Sequence, residues 1–441
     1  MKSKTIVALA TPPGMGALSV IRLSGPDALT IAQACFTCRS IEPRHATLGK
    51  FLHYDGSTLD EALMLYFNAP HSFTGEEVIE WSFHGSPYIA EQALQTLLHH
   101  GASMAEPGAF TQRAFLNGKL DLAQAEAVGD LIASESQASH ELALRQLKGS
   151  ISGRLQELRQ QLIDFAALIE LELDFIDEDV EFAKRDELMS LLSELQREIR
   201  EMLATFKQGQ AIREGIPVAI VGAPNAGKST LLNRLLREDR AIVTDIPGTT
   251  RDSIEARFRL GPYLFRVIDT AGIRDASDQV EQLGIERTWA QIEKADIVIH
   301  LIDPKDSEHL VGQDDIVNKA PNAKLITVLT KSDLWDEAPA VSHDLAIGKE
   351  SSLDELEQQI LRQVDDIPQG QVLVANARHA QALQQSLDAL SQAEQNLSEA
   401  LSGELVAYDL RSALEHLGSI TGEIVADDLL ESIFSSFCIG K

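Results

Sequence analysis

The chain has 441 residues, enough for about two to three domains, and its 44% hydrophobic and 24% charged residues are those of a globular protein. With 67 acidic against 38 basic residues its formal charge is −29, which excludes nucleic-acid binding over the whole surface and confines any RNA contact to a local basic patch or a basic partner. Three cysteines, Cys35, Cys38 and Cys438, exclude a disulfide framework. No apolar run reaches the roughly 18 residues of a membrane span, so a cytoplasmic, reducing setting with no membrane contact is expected.

The opening apolar run, Thr5–Ala10, faintly resembles a signal peptide, but Pro12-Pro13-Gly14 cuts it short and a second strand-like run follows, so it reads as a strand. Residues 1–118 alternate strand-like runs (Thr5–Ala10, Ala17–Leu23, Ala62–Phe67, Glu77–Phe83) with helical patterns (Asp27–Cys35, Tyr88–His100), which predicts an α+β domain. Cys35 and Cys38 have metal or redox spacing; with no second cysteine pair they read as buried apolar residues.

Residues 119–212 change to long helices. Leu144, Leu147, Ile151, Leu155, Leu158, Leu162, Phe165 and Ile169 recur at three- and four-residue steps, a bundle core rather than a free coiled coil. The acidic stretch Asp174-Phe-Ile-Asp177-Glu178-Asp179 reads as a solvated turn between helices. Residues 213–368 alternate strands (Arg257–Leu260, Leu264–Asp269, Ile297–Asp303, Leu325–Leu329) with helices (Glu281–Lys294, Leu353–Val364), the pattern of a doubly wound parallel sheet. Residues 369–441 are helical again. The α/β segment is therefore expected to be inserted into a helical domain built from both its flanks.

One stretch carries most of the chemistry. An apolar strand-like run from Ile216 ends at Gly222, an apolar-periodic helix opens at Lys228, and between them lies G-x-x-x-x-G-K-S. The glycines let successive N–H groups point inward at a phosphate, the helix N-terminus adds partial positive charge, Lys228 reaches the β/γ oxygens, and the Ser229 hydroxyl ligates Mg²⁺. Three later tetrapeptide-scale signals complete it. Gly248-Thr249-Thr250 supplies hydroxyls for Mg²⁺ and the γ-phosphate. Asp269-Thr-Ala-Gly272 supplies a carboxylate for the Mg²⁺ water shell and an N–H for the γ-phosphate. In Thr330-Lys331-Ser332-Asp333 the carboxylate can accept from N1–H and the 2-amino group of guanine, donors that adenine lacks. These signals, each at an expected strand end, predict a GTPase rather than an unrelated P-loop ATPase.

The order GxxxxGKS, TDIPGTTRD, DTAG, TKSD resembles the translation-factor-related GTPases. Further marks resemble one family among them, the MnmE (TrmE) tRNA-modification GTPases: Thr11-Pro-Pro-Gly14, Phe73-Thr-Gly-Glu76, Arg113 to Glu126, Asp269 to Arg274, and the terminal Phe437-Cys-Ile-Gly-Lys441. The resemblance implies a GTP-contacting set made of Asn225, Ala226, Gly227, Lys228, Ser229 and Thr230, then Thr244, Asp245, Ile246, Pro247, Gly248, Thr249 and Thr250, then Asp269, Thr270, Ala271 and Gly272, and finally Thr330, Lys331 and Asp333. Ser229 and Thr250 would hold Mg²⁺. Asn225 and the backbone of Thr244, Ile246 and Thr249 would hold K⁺, whose charge stands in for an arginine finger. Ile273 occupies the place of the water-orienting glutamine of Ras-like enzymes, and Glu281 matches the family's acidic residue that orders the attacking water. The implied catalytic set is Glu281, Lys228, Thr250 and Cys438, the last left open between nucleophile and scaffold.

The resemblance further implies that Arg22, Glu80, Lys119 and Lys441 contact 5-formyl- or 5,10-methylene-tetrahydrofolate in an N-terminal folate-binding and dimerising domain. It implies a homodimer that joins an FAD-carrying MnmG-type partner in a heterotetramer and adds a carboxymethylaminomethyl or aminomethyl group to C5 of the wobble uridine of tRNA. Two departures stand out. Thr330 replaces the usual Asn, and the usual Ser-Ala-Lys base-cradling loop is not matched near Ala346-Ile347-Gly348. The rival reading, a ribosome-associated GTPase with a basic RNA-binding module, lacks a G-x-x-G or basic run after Gly370.

Overall fold

The computed structural model describes residues 4–174, 185–237, 256–268, 281–305, 312–335, 343–349, 351–364, 372–399, 401–424, 427–435 and 437–440. The chain forms two compact units. One is Met1–Ile132 with Leu144–Ile199 and Gln381–Lys441; the other is Ala133–Ala143 with Arg200–Ala380.

The first unit holds a sheet of β1 (Ile6–Leu9), β2 (Leu18–Ser24), β3 (Phe36–Thr37), β4 (Ala46–Leu52), β5 (Thr58–Phe67), β6 (Val78–His84) and β7 (Ser103–Met104), ordered β3-β4-β5-β6-β2-β1-β7. Neighbours are antiparallel except β1 and β7. Alternate residues Ile21, Leu23, Met64, Ile79, Trp81 and Phe83 point to one face and form a core with the helices Ala28–Cys35 and Pro87–His99. β4 escapes the sequence reading because Gly49 interrupts its alternation; a Cβ there would lie 2.6 Å from the Phe36 ring, so the glycine makes room for β3.

In the same unit the seam of helix Ser150–Asp174 is buried from Ile151 through Ile169, and this helix packs on Gly403–Thr421 from the far end of the sequence. Gln196 donates to the Leu390 carbonyl at 3.3 Å and to Glu394 at 2.8 Å. Helices from both flanks thus share one bundle. The acidic stretch after Asp174 lies outside the described residues.

The second unit holds β8 (Ile216–Gly222), β9 (Ala256–Leu260), β10 (Tyr263–Val267), β11 (Ile297–Ile302), β12 (Lys324–Thr330) and β13 (Leu345–Ile347), ordered β13-β12-β11-β8-β10-β9. The sheet is parallel except at its edge, where the tight Gly261-Pro262 turn folds β9 back antiparallel on β10. β8 and β11 are buried nearly throughout, as strands covered on both faces must be. Val218 and Ile220 pack with Leu231, Leu235 and Leu356 on one side, while Ala219 and Val221 pack with Ile292 and Ile316 on the other. The sheet is doubly wound, and the ends of β8, β11 and β12 deliver Gly222, Asp303 and Thr330 to one edge.

Candidate functional site

At that edge β8 runs so close to β11 that a Cβ on Gly222 would collide with the Leu301 carbonyl, so glycine is required where the strand turns. Beyond it Asn225 (φ 63°) and Gly227 (φ 101°) hold left-handed backbone conformations just before a helix opens at Lys228. Such a loop turns its N–H groups inward as an anion-binding nest, and the helix dipole reinforces it. The Lys228 ammonium donates to the carbonyls of Gly222 and Ala223, each at 2.8 Å. Burial holds it below the ordinary lysine range. Ser229 and Thr230 follow, exposed, in the first turn of the helix.

The loop opens onto a cavity of about 310 Å³, reached by Asn225, Thr230, Thr330, Asp333 and Gly348. Asp333 accepts a hydrogen bond on Oδ1 from the Lys349 N–H at 3.0 Å. Thr330 is buried and its hydroxyl donates to the Ile302 carbonyl at 3.4 Å, so it ties β12 to the end of β11. Lys331, also left-handed (φ 61°), places its ammonium 2.6 Å from Asp303 Oδ2. Burial pushes the Asp303 carboxyl up, but the hydrogen bonds from Lys331 and the Lys305 N–H outweigh it and hold the group below the usual carboxylate range. Asp303 was visible in the sequence only as a strand end, which is the place such a group would occupy.

Thr244, Asp245, Ile246, Pro247, Gly248, Thr249 and Thr250 lie outside the described residues, as do Asp269, Thr270, Ala271 and Gly272. Glu281 is the first residue of the helix Glu281–Lys294, and its side chain is outside the description. Among the described residues no cluster of three or more His, Cys, Asp or Glu side chains could hold a metal ion.

In the first unit Arg22 and Glu80 stand opposite each other on β2 and β6 and form an ion pair at 2.7 Å. The same guanidinium donates to the Gly440 carbonyl at 3.3 Å and lies 5.6 Å from the ring centroids of Phe73 and of Phe110. The C-terminal tail is therefore brought onto the sheet beside this pair. Lys119 is exposed and donates to the Pro70 carbonyl at 3.1 Å, in the turn that leads to Phe73. Cys438 is exposed, and its carbonyl accepts from the Gly108 N–H at 3.4 Å. Lys441 lies outside the described residues. Cys35 is buried, donates to the Ile31 carbonyl at 3.3 Å, and burial pushes its thiol up to about 12, so this cysteine is an apolar core residue.

The sequence reading gave no role to Arg113 or Glu76. They form an ion pair at 2.7 Å; Glu76 also accepts from the Ser24 hydroxyl at 2.8 Å, and Arg113 donates to the Lys4 carbonyl at 2.6 Å. Asn117 donates to the Thr74 carbonyl at 2.7 Å. The two stretches around Phe73 and Arg113 are thus stitched together beside Arg22.

A family model described as the MnmE helical domain matches residues 122–438, and one described as the GTP-binding protein TrmE N-terminus matches residues 5–119. The chain belongs to the MnmE family. Its similarity to members runs end to end. The tRNA modification GTPase MnmE of Christiangramia forsetii is 46% identical over 471 residues, covering 99% of each chain. The protein of that name from Cytophaga hutchinsonii is 45% identical over 99% of this chain and 98% of its own, and that from Bacteroides fragilis 44% over the whole of both. No helix among the described residues is long and apolar enough to cross a membrane.

Proposed function

We propose that this chain hydrolyses GTP at the β8 edge of its second unit and uses that cycle in modifying C5 of the wobble uridine of tRNA. The observation that carries the reading is one cavity lined both by Asn225, Ala226 and Gly227, the phosphate-loop residues just before Lys228, and by Asp333. A nest with an ammonium suits a triphosphate, and an acceptor at the far end suits guanine. The full-length similarity to proteins named tRNA modification GTPase supplies the substrate class.

In this reading Lys228 holds the β/γ oxygens and Glu281 orders the attacking water. Ser229 and Thr250 would hold Mg²⁺; Asn225 and the backbone of Thr244, Ile246 and Thr249 would hold K⁺. When bound, both ions supply positive charge to the phosphates. Asn225 has a left-handed backbone within the loop and lines the same cavity, which is compatible with an ion ligand there.

Arg22, Glu80, Lys119 and Lys441 would receive a tetrahydrofolate one-carbon carrier, with Cys438 close to it on the tail. A carboxylate suits the pterin's amino and N–H edge, and cations suit the folate carboxylates. The four-segment layout (1–118, 119–212, 213–368, 369–441), the homodimer and the heterotetramer with an FAD-carrying MnmG-type partner belong to the same proposal. The charge of −29 favours a partner that contributes much of the tRNA-binding surface.

Two experiments test it. Nucleoside analysis of tRNA from cells lacking this protein should show wobble uridines without the carboxymethylaminomethyl or aminomethyl side chain; a complete set of modified nucleosides overturns the reading. Purified protein should hydrolyse GTP about tenfold or more faster in potassium than in sodium at equal ionic strength, a difference worth about 1.4 kcal/mol in the barrier. Asn225→Ala should erase the difference. Equal rates in both salts remove the ion from the mechanism.

A further inference from the structure

The end of β13 and Gly348 after it are where the sequence departs from the usual Ser-Ala-Lys cradle, yet the structure braces the chain there. Gly348 is buried and its N–H donates to the Ser351 hydroxyl at 2.8 Å, while the next N–H, that of Lys349, donates to Asp333 Oδ1 at 3.0 Å. A Cβ on Gly348 would lie 3.0 Å from that same Oδ1 and 3.0 Å from the Ser332 hydroxyl, so the loop backbone presses directly on the carboxylate. What holds the loop down is a side chain from another element. Arg234, on the helix that starts at Lys228, donates through Nη1 to the Gly348 carbonyl at 3.3 Å and through Nη2 to the Ser351 carbonyl.

A guanidinium is suited to this task because its planar fork of donors fixes two acceptors at once in one relative geometry. The two carbonyls it grips flank Lys349, the residue whose N–H orients Asp333. Arg234 also lies on the helix whose first turn carries Lys228, and it lines the same cavity. We propose that Arg234 is a positioning residue for base recognition. It ties the Gly348 and Ser351 carbonyls to the phosphate-loop helix, and through Lys349 it fixes the orientation of the Asp333 carboxylate. This rests on the reading of Asp333 as the guanine acceptor. It makes base selectivity depend on an arginine that lies outside every sequence signal.

The test compares a guanine with an adenine nucleotide on the full chain. Both share the diphosphate, so ADP reports the nest alone and GDP reports nest plus base. Arg234→Gln should weaken GDP about tenfold, the scale of a lost orienting hydrogen-bond network, and leave ADP unchanged, so that the GDP:ADP ratio falls by the same factor. KM for GTP should rise with kcat at saturation preserved. Arg234→Lys, which keeps the charge and one donor direction, should recover part of the ratio. Gly348→Ala, which leaves the Arg234 side chain in place and pushes a methyl towards Asp333 and the Ser332 hydroxyl, should lower the ratio by another route.

An equal loss of GDP and ADP in Arg234→Gln makes the residue a brace for the phosphate helix and overturns the proposal. An unchanged ratio in Arg234→Gln, or in Gly348→Ala, overturns it as well. If the unaltered chain fails to prefer GDP over ADP, the failure lies with the guanine reading of Asp333.

Discussion

Lys228→Ala should lower GTP hydrolysis by about a thousand-fold, the scale of removing a preorganised charge from a developing transition state. The ammonium sits over the phosphate loop, donating to the carbonyls of Gly222 and Ala223 at 2.8 Å each, and burial already disfavours its charged form. A triphosphate in the nest gives that charge partners of opposite sign in a poorly solvated place, where charge-assisted hydrogen bonds are about twice as strong as neutral ones. The variant also strips two carbonyls of their donor. That costs about 1–2 kcal/mol, visible as a lowered Tm but small against the roughly 5–15 kcal/mol by which domains are stable. Lys228→Arg should not restore activity, because the bulkier planar fork does not fit where a compact ammonium is gripped by two close carbonyls. Single-turnover hydrolysis beside a thermal melt separates the two effects. Hydrolysis within tenfold of the unaltered chain, with the fold intact, would mean that Lys228 does not face the phosphates.

The part of the site that was legible in the sequence is the part whose chemistry is local. From β8 through Gly222, Asn225 and Gly227 to Lys228, strand, turn and helix lie within a few residues, so spacing alone dictates the nest. Asp333 was legible because it follows the end of β12 and the ligand edge of a parallel sheet is known in advance. What was illegible depends on contacts between distant residues. Arg234 reads as an ordinary helix-surface charge until the fold sets it against carbonyls 114 and 117 residues away. Arg113 and Glu76 each stand in a quoted motif, but their pairing across 37 residues follows only from where β2 and the Phe73 turn meet. β4 was lost for a different reason. A glycine needed for close packing of neighbouring strands removes the very side chain that periodicity would have counted. The strand at Arg257–Leu260 was legible but its antiparallel direction was not, because a strand's direction is set by the turn after it, here Gly261-Pro262, and its composition carries no such information.

Asp333→Asn should exchange guanine for xanthine as the preferred base. A carboxylate offers acceptors only, and guanine presents two donors, N1–H and the 2-amino group, so the match is complete. The structure already fixes one oxygen, since Oδ1 accepts from the Lys349 N–H at 3.0 Å. In the amide that fixed oxygen would keep both Lys349 and the base N1–H, because a carbonyl oxygen has two lone pairs. The amide nitrogen would then turn a donor towards position 2 of the base. Against guanine, donor meets donor and a buried polar group goes unpaired. Against xanthine, whose position 2 carries a carbonyl, donor meets acceptor. Sites built to hydrogen-bond a group reject its unmatched analogue by several powers of ten; with a cavity partly open to water, a loss of about 100- to 1,000-fold for GDP and a gain of similar size for XDP is expected. Competition titrations of the variant with GDP, XDP and ADP read this directly. ADP serves as the control, because its binding comes from the nest and should not move. If GDP holds its affinity and XDP gains nothing, the base lies elsewhere and the carboxylate serves only to anchor the Lys349 turn.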